Sequence, residues 1–325
     1  MAIILNSTSG GSEKRPPKLP AARNRHEELL APDELERYKN LYAFTQARVE
    51  GFLAGRHKSP FHGSSTEFAD YHEYSAGHEI SKIDWRVYGR TKELFIRRFE
   101  DETDMTVSVI VDVSRSMAYR GAGRFSKFTE AIRLAAAICY LATRQGDKAA
   151  LGLVADRLIE HRKPGGSRLH LKNLVSLLEQ ARPHLQTSLA PALRQCAEVF
   201  RKKGRLVLIS DFHDEIEDVL DALGSFVHRG FEVQLYQLLD PAERSLPAYN
   251  ALEFVDLETG ERVKADVADI VQIYKKRMNA IIRELETAAM GRQMRYHLLD
   301  QPNPLNTALE AYLLHGRKEG RQTLR

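Results

Sequence analysis

The sequence predicts an α/β protein: a doubly wound, mostly parallel sheet flanked by helices, preceded by a small helix and a β-rich segment. Three observations carry that expectation. From residue 105 onward, short β-branched runs alternate with stretches of helical period. The runs MTVSVIVD (105–112), AALGLVA (149–155) and LVLISD (206–211) are nearly continuous in apolar residues, as strands covered on both faces are. Gly146, Gly204 and Gly230 each fall between a helical pattern and a strand, where a left-handed residue suits a helix end. Such alternation implies right-handed crossovers and a parallel sheet.

Each element follows in order. Residues 6–25, NSTSGGSEKRPPKLPAARNR, have no hydrophobic period, and 1–30 reads as a disordered basic tail. Leu35, Tyr38, Leu41, Tyr42, Thr45, Val49 and Phe52 recur at spacings of three and four, which predicts a helix over 33–55 that stops at Gly55. Residues 56–104 are punctuated by Gly63, Gly77 and Gly89 and carry a strand-like LFIRRF (94–99). Residues 31–104 are therefore expected to form an N-terminal helix and β-rich segment, and 105–325 the main domain. Within the main domain, a helix over 126–145 places Phe128, Ile132, Ala135, Ala136, Cys139 and Thr143 on one face. After the strand at 149–155, RLIEHR (157–162) extends it as a hairpin. Helices follow over 167–181 and 189–202, then the strand 206–211, a helix over 214–228 and a strand over 232–240. Residues 251–265 read as a hairpin turning at Thr259-Gly260. A long helix over 267–290, with Ile270, Tyr274, Ile281 and Leu285 on its apolar face, a strand over 294–300 and a helix over 304–315 complete the pattern.

Composition narrows the function classes. A net charge of +4 on 325 residues is too small to argue for a nucleic-acid or membrane partner. The only cysteines, Cys139 and Cys196, sit in apolar helical patterns and read as buried hydrophobes, so a reducing compartment fits. The apolar stretch LAAAICYLA (134–142) is far shorter than the about 20 residues that span a bilayer. AIIL (2–5) is shorter than a signal-peptide core. The expectation is a cytoplasmic protein without membrane insertion.

The chemistry concentrates at strand ends. In parallel sheets, ligands bind beyond the carboxyl ends of the strands. VIVDVSRSM (109–117) ends a strand at Asp112 and adds hydroxyls at Ser114 and Ser116, the alternate positions of an extended turn. LVLISD ends at Asp211, and LQTSLAPAL (185–193) offers Thr187 just before a helix. Carboxylates and hydroxyls without nitrogen or sulfur suit Mg²⁺, or Mn²⁺. So few acids leave positions for water and for one outside ligand, such as a partner's carboxylate. Taken singly, Ser114, Ser116 and Thr187 also read as helix caps, and Asp211 as an acid favoured at the start of the 214–228 helix.

DVSRSM (112–117) resembles the Asp-x-Ser-x-Ser signature of von Willebrand factor A-like domains, which bind Mg²⁺ at a metal-ion-dependent adhesion site. The resemblance assigns the metal to Asp112, Ser114, Ser116, Thr187 and Asp211, and covers roughly 103–315. Upstream, EFADYHEYSAGHEISKIDWRVYGRTKELFIRRFEDET (67–103) resembles the bacterial domain of unknown function 58 family at Glu67-Phe68, Tyr74, Gly77-His78, Ile83-Asp84-Trp85 and Arg90-Thr91. His78 stands where an Asp is common in that family. Members look like partners of MoxR-type AAA+ ATPases. The resemblance thus implies a non-enzymatic, Mg²⁺-dependent adaptor that binds such an ATPase, a client protein, or both.

Rival functions are weaker. Phosphohydrolases of the haloacid dehalogenase type use an Asp two residues after the first as general acid; here that position is Ser114. RGAGRF (120–125) lacks the full phosphate-loop pattern. KIDWRVYGR (82–90) with Arg97 and Arg98 interleaves bases and aromatics as single-strand binders do, although Trp85 in a core and pairing with EDETD (100–104) explain it more simply. His57, His62, His72 and His78 fit no zinc spacing. Asp211, Asp214, Glu215, Glu217, Asp218 and Asp221 form a dense acidic run, read first as a solvated helix face.

Overall fold

A computed structural model describes residues 6–7, 41–57, 71–73, 88–89, 95–97, 105–123, 125–184, 188–244, 251–255, 262–301 and 304–315. The chain divides into two compact units, residues 1–50 with 105–325 and residues 51–104. In the second unit, β2 (Tyr71–Glu73) pairs antiparallel with β3 (Phe95–Arg97), Tyr71 opposite Arg97. The sequence readings of Trp85, of EDETD and of the histidines at 62 and 78 lie outside the described residues, as do the side chains of His57 and His72.

The first unit is built on a six-stranded sheet. Its strands are β4 (Thr106–Asp112), β5 (Lys148–Val154), β6 (Leu158–Gly165), β7 (Arg205–Ser210), β8 (Glu232–Leu238) and β11 (Arg295–Leu299). Their spatial order is β11-β8-β7-β4-β5-β6, all parallel except the β5–β6 hairpin. The doubly wound, mostly parallel sheet of the sequence reading is therefore present. β4 and β7 are adjacent although 92 residues separate Asp112 from Arg205 in the chain, because the chain first winds outward through β5 and β6 and then returns to the other side of β4. The carboxyl ends of β4 and β7 flank the switch point of the winding, the place where such sheets form a crevice.

Helices cover both faces. They are α1 (Leu41–His57), α2 (Lys127–Arg144), α3 (Arg168–Gln180), α4 (Leu189–Val199), α5 (Ile216–His228), α6 (Pro241–Arg244), α7 (Val267–Gly291) and α8 (Pro304–His315). Ile110, Ala150, Val154, Leu208 and Leu235 face α4, α5 and α7 in one buried cluster with Leu193, Leu223, Phe226 and Leu285. Strand side chains alternate, so Val107, Val109 and Val111, also fully buried, belong to the opposite face, where α2 packs on β4 with α3 and α8 beside it. Phe128, Ile132, Ala135, Ala136 and Cys139 of α2 are buried as their spacing predicts. Ser126 caps α2 by accepting the Thr129 amide at 3.2 Å, and Gly146, at φ 87°, closes its far end. In the first turns of α1, Leu41, Thr45 and Val49 are buried, and Tyr42 meets Tyr140 edge-on with centroids 6.4 Å apart.

Several expectations are corrected. α1 passes through Gly55 to His57. α4 ends at Val199, not at 202, because Phe200 turns inward and packs in the core beside Gly152. Gly204 is consequently not a helix stop. It is needed because a Cβ there would lie 2.1 Å from the Thr106 carbonyl oxygen. On α7 the buried line runs through Ile282, Leu285 and Ala289, while Ile281 is 37% exposed. The short α6 and a single 3₁₀ turn at Arg115–Ala118 had no period long enough to detect. The hairpin over 251–265 is present as β9 (Ala251–Val255) and β10 (Arg262–Asp266), with its turn outside the described residues. Asn6–Ser7, within the stretch read as a tail, forms a short strand, β1, against β9.

Candidate functional site

β4 delivers Asp112 to the crevice, and the 3₁₀ turn that follows it presents Ser114 and Ser116. All three are at most 1% exposed. The Ser114 amide donates to Asp112 Oδ1 at 2.8 Å, which curls the chain over the carboxylate. The Ser114 and Ser116 hydroxyl oxygens lie 3.1 Å apart. Ser114 occupies the cap position of the 3₁₀ turn, yet its side chain makes no capping bond. Capping therefore does not account for this hydroxyl. Ser188, at the cap of α4, also makes none; the Leu189 amide donates instead to Asp214 Oδ2 at 2.6 Å.

β7 brings its own end to the same edge. The Ser210 hydroxyl donates to Asp112 Oδ2 at 2.6 Å and accepts from the Phe212 amide at 2.9 Å. Phe212 has φ 55°, a left-handed backbone that a bulky residue adopts only when its surroundings enforce it. This kink follows Asp211 directly. Asp211 is not a cap of α5, whose cap residue is Glu215. Its Oδ2 is instead 2.8 Å from the Lys127 ammonium and 3.0 Å from His213 Nδ1. The ammonium also sits 2.7 Å from Glu243 Oε1, in α6. Glu243 Oε2 accepts the Asp240 amide at 2.7 Å. The Asp240 carboxylate in turn accepts three successive amides from the loop between the 3₁₀ turn and α2, Gly121 at 3.0 Å, Ala122 at 2.8 Å and Gly123 at 2.9 Å. Within RGAGRF, Gly121–Gly123 thus form a nest for an internal carboxylate.

The two buried acids at the strand ends behave oppositely. Burial first, and the nearby Asp211 charge second, push the Asp112 carboxyl up to about 6, against the pull of Ser210 and Ser114. Burial would also raise Asp211, but His213 and Lys127 outweigh it and hold that carboxyl well below its usual range. Lys127 stays charged: burial opposes its ammonium, and the two carboxylates more than offset this.

Of the five residues singled out by sequence, Asp112, Ser114 and Ser116 are in direct contact with one another, and Asp211 is close enough to perturb Asp112 electrostatically. Thr187 lies outside the described residues. Sequence reasoning missed Ser210, Lys127, Glu243 and His213. One signal was available: Lys127 opens α2, the end of a helix where the dipole disfavours a cation. The acidic run is also less free than it reads. Glu217 and Asp221 both pair with Arg292, and Asp211 is neutralised by Lys127.

The donor set suits a hard divalent ion: one carboxylate with an unusually high proton affinity and two buried hydroxyls 3.1 Å apart. Among the described residues, no three side chains of the acid, His or Cys type gather as a metal cage. A metal here would rely on hydroxyls, water and an outside ligand. No described helix is long and apolar enough to cross a membrane.

Two uncharacterized mycobacterial proteins, Rv1480 of Mycobacterium tuberculosis and Mb1516 of Mycobacterium bovis, are each 26% identical over 226 residues, covering 68% of this chain and 70% of theirs. Among solved structures, the conserved hypothetical protein BatB of Bacteroides thetaiotaomicron aligns over 66% of this chain and 100% of its own, at 15% identity and a TM-score of 0.47. An aerotolerance-related membrane protein of Bacteroides fragilis aligns over 65% and 99%, at 18% identity and a TM-score of 0.44. Residues 70–284 match the family described as protein of unknown function DUF58, and since that stretch is well over half of the chain, the chain belongs to this family.

Proposed function

We propose that this protein is a non-enzymatic, Mg²⁺-dependent protein-binding adaptor with a von Willebrand factor A-like domain. It acts in the cytoplasm with a MoxR-type AAA+ ATPase in the assembly or maturation of a protein complex. Asp112, Ser114, Ser116, Thr187 and Asp211 hold Mg²⁺, or Mn²⁺, and a carboxylate of the partner completes the site. The observation that carries this reading is the meeting of Ser114 and Ser116 hydroxyls, 3.1 Å apart and buried beside Asp112, with no capping bond from Ser114. Their position at the switch point of the sheet supports it. The link to the ATPase rests on the family resemblance alone.

The bound metal supplies a Lewis-acidic position for an anionic group. The chain's own residues do the rest. Ser210 and the Ser114 amide orient the Asp112 carboxylate, and the kink at Phe212 orients Asp211. Ser114 stands where a phosphohydrolase would need a general acid, and a hydroxyl cannot serve as one near neutral pH.

The test is capture of partners from native lysate by wild type and by Ser114→Ala/Ser116→Ala, each with Mg²⁺ and with EDTA, after circular dichroism shows the variant folded. A partner held only by wild type with Mg²⁺, identified by mass spectrometry as an AAA+ ATPase or its client, is the expected result. Capture indifferent to both the mutations and EDTA refutes the metal-bridged adaptor. Phosphatase activity lost on Asp112→Asn would replace it with the hydrolase reading.

A further inference from the structure

We propose that Lys127 is a tethered cation of this site. Its ammonium holds the acidic strand ends together without a metal and keeps the affinity for divalent ions low. This rests on the metal reading given above and adds the residue that regulates it.

Three observations support the assignment. Lys127 is 3% exposed and stands in the first turn of α2, where the helix dipole opposes its charge. A lysine is stable there only because two carboxylates lie within 2.8 Å of its nitrogen. Those carboxylates come from separate segments, Asp211 just after β7 and Glu243 in α6 after β8, and the lysine comes from the segment after β4. One ammonium thus ties together three neighbouring strand ends. Both acids are held at further atoms, Asp211 Oδ1 by the His213 amide at 3.3 Å and Glu243 Oε2 by the Asp240 amide.

Charge explains the consequence. Asp112, Asp211 and Glu243 bring three negative charges and Lys127 one positive, a surplus of two, to which the neighbouring Asp240 carboxylate, held by its three amides, adds. A bound divalent ion offsets much of that surplus and lowers the repulsion that a further carboxylate meets. Without Lys127 the surplus is larger by one. An ion would then bind more tightly, and the empty loops would repel one another.

The experiment measures Mn²⁺ binding by titration calorimetry and thermal stability in EDTA and in Mn²⁺. The proteins are wild type, Lys127→Met, Glu243→Gln and Ser114→Ala/Ser116→Ala. Lys127→Met is expected to melt lower than wild type in EDTA, to recover with Mn²⁺, and to bind Mn²⁺ about tenfold or more tightly. Glu243→Gln, which leaves Lys127 to Asp211 alone, is expected to bind several-fold more weakly and serves as the test if Lys127→Met does not fold. Equal Mn²⁺ affinity in wild type, Lys127→Met and Glu243→Gln, with binding abolished in the double serine variant, overturns the role of Lys127 and leaves the metal site standing. Absence of Mn²⁺ binding in every protein overturns both. Binding that follows the expected order without any captured partner overturns only the adaptor.

Discussion

Asp112→Asn should stabilise the metal-free protein at neutral pH. The carboxyl is fully buried and is pushed up to about 6 by burial and by the Asp211 charge. Moving a carboxyl from 3.8 to about 6 corresponds to about 3 kcal/mol. Because the folded value lies above the unfolded one, the fold favours the neutral acid. That preference is complete below about pH 4 and is lost as the pH rises through about 6. At pH 7.5 the ionised carboxylate therefore costs the metal-free fold about 3 kcal/mol. Asparagine removes the charge and keeps an oxygen for the Ser114 amide. It gives up the charge-assisted bond from Ser210, whose pull on the ionised form is already contained in that figure. The net gain is up to about 3 kcal/mol, or roughly 6–12 °C in Tm for a domain of this size. The assay is thermal denaturation in EDTA at pH 4 and pH 7.5, with the advantage expected only at pH 7.5. Under the proposed function, Mg²⁺ should then raise the Tm of wild type and leave the variant unchanged. If the variant is the less stable protein at both pH values in EDTA, the ionised carboxylate is not destabilising and the reasoning fails.

Other outcomes follow from the same geometry. Ser210→Ala strips Asp112 of its 2.6 Å bond and the strained Phe212 of its anchor, and should cost about 2 kcal/mol in urea denaturation; an unchanged midpoint would mean that the loop does not depend on this hydroxyl. Gly204→Ala drives a methyl into the Thr106 carbonyl and should cost at least about 2 kcal/mol. Gly224→Ala, inside α5 with nothing within 4 Å of the new methyl, should stabilise by about 0.5–1 kcal/mol; opposite signs for this pair are the check. Divalent-ion affinity should fall as the pH drops below about 6, because the metal needs the ionised form of Asp112; calorimetry at pH 5 and pH 7.5 showing equal affinity would remove Asp112 from the ligand set.

The strands of the six-stranded sheet, the longer helices and the strand-end position of Asp112, Ser114 and Ser116 were legible in the sequence by itself. The strands and helices depend on a local period, β-branched runs for β4, β5 and β7 and spacings of three and four for α2, whereas the two serines meet on a 3₁₀ turn and not on the extended turn that their alternation predicts. Glycine illustrates the limit of such reading. Gly146 and Gly230 do adopt left-handed backbones, but Gly204, which looks identical in sequence, is required by a neighbouring carbonyl 98 residues away in the chain. Periodicity reports which face a residue takes and is silent on what lies opposite. Only the tertiary structure decided that β7 lies beside β4, so that Ser210 reaches Asp112. It alone decided that the ammonium of Lys127 closes on acids 84 and 116 residues away. A buried charge must find a partner wherever the chain's winding supplies one, and that winding follows from packing the whole sheet, not from any one segment.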